Sequence, residues 1–397
     1  MKRFFLFASV LALSAAASAS AAPATEAQLQ TIERAARASH SDAVLVIHGD
    51  KVLLEHYADD DRSPIELMSA TKSVVAIAIG LLLADGHLES LDTPVHRFYP
   101  EWAQGRKRDI TVRMLMDHTS GLQNHPNAGA EIEPAPDVLQ LALAAELDTA
   151  PGEAFAYNNK ATNLLAGVIE RASGEPMDTY LQRRLFAPLS ITPGEWHKDA
   201  AGHPWAMAGL PLTARDAARL GRLLLDDGVA PDGTRLLPQG FADTLFAPGA
   251  RSEQVGLLWW RTPTWETFAW RAEAPARLRE AGVPAAVVDA LSTLDGRRFD
   301  SRDAVLEAIA AALGPDWNEV YGREIRQRGL GFDALFDNRR GPVAAYRADG
   351  YLGQYIVLVP DKDVVAVRQI RRRDDHRAPQ DNYGAFAADI IALADRL

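Results

Sequence analysis

The sequence predicts a mixed α/β fold of the α+β kind: an antiparallel sheet flanked by helices, with a mainly helical domain between its strands. Two observations carry this. Runs rich in β-formers lie near both chain ends, at 43–57 and 354–370, and strongly helical patterns lie between them. Strands, then helices, then strands again imply one sheet built from both ends of the chain. The composition fits: of 397 residues, 47% are hydrophobic and 24% charged, which excludes a disordered or fibrous chain.

In chain order, Lys2 and Arg3 precede the apolar run Phe4 to Leu13 and a small-residue tract ending Ala19-Ser20-Ala21. That is the pattern of a secretory signal cut after Ala21 or Ala22, and the run is too short to span a bilayer. A periplasmic or secreted protein with no stable membrane span after cleavage is expected. Ala43 to His48 and Lys51 to Tyr57, joined by Gly49-Asp50, read as a hairpin. Thr71 to Asp85 is a helix apolar on every side, closed by Gly86, so it should be buried all round. Lys160 to Ala172 is a second helix, and a third starts at Thr213, with Asp216 forming an imperfect capping box. Val255 to Arg261, Gln354 to Val359 and Val364 to Ile370 are strand candidates, and Asp389 to Leu397 closes the chain as an amphipathic helix. Between strand candidates, Thr262 to Pro342 is rich in Ala and Arg and patterned as helix, with Ser301 as an N-cap. It reads as an insertion.

Several function classes lose ground at once. Asp and Glu outnumber Lys and Arg by 53 to 42, so the net charge is −11 and polyanion binding is disfavoured. No cysteine is present, which removes disulfides, thiol nucleophiles and thiolate-held metals. The ten histidines show no metal-ligand spacing, and no G-x-S-x-G, Walker or G-x-G-x-x-G motif occurs. No cofactor is implied.

What remains is Ser69-Ala70-Thr71-Lys72 at the start of the buried helix. Residues three apart share a helix face, so the amine of Lys72 can reach the hydroxyl of Ser69. The helix N-terminus offers unpaired N–H groups to a developing oxyanion. Lysine is scarce here, seven against thirty-five arginines, yet lysine holds this buried position. A desolvated lysine can lose its proton and act as a base, which arginine cannot. Tyr157-Asn158-Asn159 precedes the second helix and supplies a phenol and an amide. Ala348-Asp349-Gly350-Tyr351 leads into Gln354, with glycine allowing close approach of a substrate to a strand.

In order and surroundings these three motifs resemble the class C β-lactamase and penicillin-binding-protein group of serine hydrolases, which includes esterases, D-aminopeptidases and a 6-aminohexanoate-dimer hydrolase. MSATKSVVAIAIG around Ser69, DHTSGL at 117–122, PGEAFAYNN before the second helix and GLPLTARDAARLGRLLLDDG after it belong to the likeness. The resemblance implies a β-lactamase/DD-peptidase-like fold. It implies Ser69 as nucleophile, and Lys72 and Tyr157 as the proton-transfer residues, either being the acylation base. It implies Asn159 as an amide contacting Lys72 and substrate, and an oxyanion hole from the N–H groups of Ser69 and Tyr351, beside Gly350. Antibiotic-hydrolysing members carry Lys-Thr-Gly where this chain has Ala348-Asp349-Gly350, and Arg347 should face the other way. The expectation is therefore an exported serine hydrolase acting on a small ester, amide or short peptide. The rivals are a β-lactamase or DD-peptidase and a non-catalytic binding module. The expected organisation is a signal at 1–21, an α/β domain from 22–66 and 206–397, a helical domain at 67–205, and the helical insertion at 262–342. Trp265, Trp270 and Trp317 of the insertion either line a substrate pocket or pack its own core. Of Trp259 and Trp260, one should face the main core.

Overall fold

A computed structural model describes residues 11–125 and 128–397. Lys2, Arg3 and most of the apolar run of the expected signal lie outside these residues. Helix α1 spans Leu11–Ala38 and leads into the hairpin β1 (Ala43–His48) and β2 (Lys51–Tyr57). Helix α2 (Thr71–Ala84) is buried from Thr71 to Leu82, as its unbroken apolar sequence requires. Helix α3 (Asn159–Ser173) is capped by the Asn158 side chain, which accepts from the Ala161 N–H, and ends at left-handed Gly174. Helix α4 (Ala214–Leu225) is capped by Thr213, which accepts from the Asp216 N–H.

The remaining strands of the main sheet are β3 (Trp260–Pro263), then, after an insertion that carries β4 (Glu266–Trp270), β5 (Arg298–Phe299) and β6 (Phe336–Arg340), β7 (Val343–Gly350), β8 (Gln354–Val359) and β9 (Val364–Gln369). Helix α6 (Phe386–Ala394) closes the chain, earlier than the predicted Asp389 to Leu397. The order across the sheet is β2-β1-β9-β8-β7-β3, all antiparallel. Side-chain alternation gives the sheet two buried faces. Val44, Val46, Val357 and Ala366 pack on one face against Ile32 of α1 and Phe386 and Ile390 of α6. Leu45, Ala348, Ile356 and Val367 face the helical region on the other. That inner face and the helices form one continuous core.

Two expectations need correction. Val255 to Trp259 is loop, and only Trp260 onward is strand. Leu258 has φ +61°, and the N–H groups of Leu257 and Leu258 bond to the carbonyls of Leu245 and Met116 instead of a neighbouring strand. The apolar run reflects burial in a threaded loop. The insertion is not purely helical either. It holds a three-stranded sheet, β4 (Glu266–Trp270), β5 (Arg298–Phe299) and β6 (Phe336–Arg340), beside α5 (Arg302–Leu313), which Ser301 caps. Phe268 and Trp270 alternate into its core with Phe299 and Phe336, a period of two that the Ala- and Arg-rich surroundings obscure. Thr262 still pairs with Ala345, so the insertion departs after β3.

Candidate active site

Ser69 sits in a single 3-10 turn, Met68–Ala70, that runs directly into α2. Met68 adopts φ +48°, a left-handed conformation uncommon for a side-chain-bearing residue. One turn on, the Lys72 ammonium nitrogen lies 2.9 Å from Ser69 Oγ and 2.8 Å from the Met207 carbonyl oxygen. The Met207 backbone is itself held, its N–H donating to Asn163 Oδ1 of α3 at 3.0 Å. Lys72 is 3% exposed, and burial lowers its pKa from the ordinary 10.5 to about 7. Near neutrality a substantial share of the amine is unprotonated.

Tyr157 comes from the segment leading into α3. Its hydroxyl faces the same cavity as Ser69, and its ring lies 4.9 Å from Lys72 Nζ. Burial raises its pKa, against the pull of the nearby Ser69 hydroxyl and aided by the Asp349 carboxylate. The phenol therefore keeps its proton and can donate it. Ser69, Lys72, His118, Tyr157, Trp260 and Asp349 line one small cavity.

Gly350 closes the other side. A methyl group on its Cα would strike the Leu67 carbonyl oxygen and lie 3.1 Å from the Ala70 nitrogen. Only a bare Cα lets the end of β7 approach the nucleophile turn so closely. Tyr351 follows and is 67% exposed. Ala348 is fully buried on the face toward the helices. Arg347 is tied to Asp349 Oδ2 at 3.0 Å and Thr262 Oγ1 at 2.7 Å.

Asn159 departs from expectation. The hydrogen bonds of Lys72 go to Ser69 and Met207, not to the Asn159 amide. The Asn159 N–H instead donates to Asn124 Oδ1 at 3.3 Å, and its own Oδ1 is buried without a partner. As first residue of α3, Asn159 has its backbone orientation set by the cap at Asn158. The insertion tryptophans also lie elsewhere. Trp270 is buried in the insertion core, Trp317 packs against that core and Trp265 is exposed. Trp260, ring centroid 6.5 Å from that of Tyr157, takes the place at the cavity, while Trp259 is buried in the main core.

His118 is the residue that sequence reasoning left without a role. Its Nδ1 accepts from the Asn158 N–H at 3.2 Å, and its ring centroid lies 4.7 Å from that of Tyr157. Burial, and then the Lys72 charge, depress its pKa to about 3, so the imidazole is neutral with its proton on Nε2. Ser73, one position past Lys72, donates to the Leu258 carbonyl at 2.6 Å and anchors the threaded loop. No cluster of three or more His, Asp or Glu able to hold a metal occurs among the described residues. Among the same residues, no helix is long and apolar enough to cross a membrane.

The arrangement is competent for acyl transfer: a hydroxyl, an amine poised to take its proton, a phenol poised to give one, and backbone N–H groups at a helix start. Comparisons with known proteins agree in kind. The chain is 32% identical over 250 residues to the 6-aminohexanoate-dimer hydrolase of Paenarthrobacter ureafaciens, covering 56% of this chain and 62% of that one. It is 33% identical over 144 residues to esterase EstB of Burkholderia gladioli, covering 32% and 36%. These matches therefore span under two thirds of the relatives' own length. In structure, the β-lactamase/D-alanine carboxypeptidase of Pseudomonas syringae aligns with a TM-score of 0.56 at 16% identity, over 94% of this chain and 98% of that one, which establishes the shared fold. With the profile of the Beta-lactamase family matching residues 29–389, nearly the whole chain, this protein belongs to that family.

Proposed function

We propose that this protein is an exported serine hydrolase that cleaves a small ester, amide or short peptide through a covalent acyl-enzyme on Ser69. The observation that carries the reading is the bonded pair of Ser69 and Lys72 sharing one cavity with Tyr157, with the lysine desolvated to a pKa of about 7. Neutral Lys72 takes the Ser69 proton as Oγ attacks the carbonyl carbon. The N–H groups of Ser69 and Tyr351 receive the oxyanion. Tyr157 gives its proton to the leaving alcohol or amine as that bond breaks, and Lys72 restores it. Water then enters by the reverse relay and releases the acid. Lys72 is the better acylation base, because the Tyr157 phenol is held protonated.

Export rests on the Lys2-to-Ala21 pattern. An ester or amide is favoured over a β-lactam because Ala348 stands where antibiotic-hydrolysing relatives carry the cation that meets a substrate carboxylate. Ala348 is apolar and buried, and Arg347 is engaged by Asp349 and Thr262. The relatives named as a dimer hydrolase and an esterase point the same way. Incubation with a fluorophosphonate, followed by mass spectrometry of the digest, tests the reading. Label on Ser69 alone, with loss of p-nitrophenyl ester turnover in Ser69→Ala, supports it. Label on Ser73 or Ser120, or no label, overturns it in favour of another nucleophile or a non-catalytic binding module.

A further inference from the structure

Arg368 is a fully buried arginine on β9, and its partners are unusual for a buried charge. Nε donates to Ser41 Oγ at 2.8 Å. One terminal nitrogen donates to the carbonyls of Leu352 and Gly353, both at 2.8 Å. The other donates to the carbonyls of Ser39, at 3.0 Å, and Asp381, at 2.5 Å. Among the described residues, no carboxylate lies within ion-pair distance of it. A buried guanidinium held only by neutral acceptors is a stability burden compared with an apolar side chain. Its position shows what it holds.

Leu352 and Gly353 are the turn that joins β7 to β8, directly after Tyr351. Leu352 has φ +70° and Gly353 φ +87°, and the Gly353 N–H closes the turn on the Gly350 carbonyl at 3.0 Å. A Cβ at Gly353 would strike the Asn382 carbonyl and lie 2.6 Å from Arg368 Nη1, so the turn is seated directly on the guanidinium. The same guanidinium grips Ser39 and Ser41 after α1 and Asp381 before α6. One side chain thus ties the Tyr351 turn to both ends of the outer helical layer.

We infer that Arg368 is a positioning residue for the oxyanion hole, fixing the Tyr351 N–H relative to Ser69. The inference rests on the acyl-enzyme reading above. An oxyanion donor is effective only when its orientation is set before the charge develops. Tyr351 lies in a turn two of whose peptide carbonyls Arg368 holds.

The test compares p-nitrophenyl butyrate with its thiono analogue, in which sulfur replaces the carbonyl oxygen. Donors placed for oxygen fit the larger, softer sulfur poorly, so wild type should prefer the oxygen ester. Arg368→Gln should lower kcat on the oxygen ester roughly 10–100-fold, with KM changed less than threefold, and shrink the oxygen-over-sulfur ratio at least tenfold. Arg368→Lys should recover part of both. Ser41→Ala, which releases only Nε, should shift the ratio about threefold in the same direction and decides the matter if the arginine variants do not fold. A ratio equal to wild type in folded Arg368→Gln, or in Ser41→Ala where the arginine variants do not fold, overturns the inference, whatever happens to stability. Full turnover in Ser69→Ala would instead overturn the acyl-enzyme reading, and the inference with it.

Discussion

Removing the Lys72 amine should stabilise the protein while abolishing its activity. The perturbation is Lys72→Met, which keeps the unbranched chain length and deletes the charge. Lys72 titrates at about 7 in the folded protein against 10.5 ordinarily, with burial as the cause. The cation is the penalised form. The penalty is absent well above pH 10.5, grows as pH falls toward 7, and is constant below 7. At about 1.4 kcal/mol per pH unit, it amounts to roughly 4 kcal/mol at pH 7. Against this, methionine loses the bonds to Ser69 Oγ and the Met207 carbonyl, at ~1 kcal/mol each. The balance favours Lys72→Met by roughly 1–3 kcal/mol at pH 7. Urea unfolding of both proteins at pH 7 and pH 10 measures it, and the advantage should shrink or reverse at the higher pH. A variant less stable than wild type at pH 7, or a difference independent of pH, would refute the idea that Lys72 is kept by strain and not by packing.

The titration of Lys72 also governs rate: kcat/KM for a neutral ester should rise through an acid limb centred near pH 7, because only the unprotonated amine accepts a proton. A limb near pH 5 or below would assign the base elsewhere. Lys72→Arg should fold and lose at least ~10²-fold in turnover, since arginine keeps the charge and cannot act as a base; near-wild-type rates would make Lys72 an electrostatic partner only. Gly350→Ala should push the end of β7 off the Leu67 carbonyl and lower kcat by ~10²-fold, read by steady-state kinetics beside circular dichroism. Nitrocefin should be hydrolysed with a kcat/KM well below that of p-nitrophenyl butyrate. A missing charge-assisted contact, about 1.5–3 kcal/mol, weakens carboxylate recognition roughly ten- to more than hundredfold, and the reverse preference would make this a β-lactamase.

The sequence displayed some parts of this site and concealed others, for physical reasons. Helix α2 was legible because its residues are apolar on every side, and α3 because Ser173-Gly174 ends it. Ser69, Lys72 and Tyr157 were legible as residue types at meaningful spacing. The second acceptor of Lys72 was not, because a backbone carbonyl can come from any residue and Met207 lies 135 positions away. The expected Asn159 contact failed for the same reason: the lysine is satisfied by main chain. His118 depends on meeting the Asn158 N–H 40 positions on, a pairing that no local pattern encodes. Arg368 did leave a signal, a lone charge inside the strand Val364–Gln369, directly after the apolar run Val364 to Val367. A charge in a two-sided buried strand is costly enough to ask what it holds.

Three buried cations in this fold show how chemistry and stability separate. Lys160, next to the site and equally buried, is paired with the Glu131 carboxylate at 2.8 Å, the ordinary way to bury a charge. Among the described residues, the hydrogen-bond partners of Lys72 are a hydroxyl and a carbonyl. A carboxylate at that distance would favour the ammonium form, raise the pKa back toward 10 and remove the base. The nearest imidazole obeys the same constraint from the other side: His118 is depressed to about 3, so it brings no further positive charge beside the amine. Arg368 likewise has carbonyls and one serine, and there the gain is geometric. Five donors in a rigid plane fix three chain segments at once, which a single carboxylate partner could not do. Neutral acceptors around a buried cation therefore mark the places where this chain gives up stability for a set proton affinity or a set backbone position.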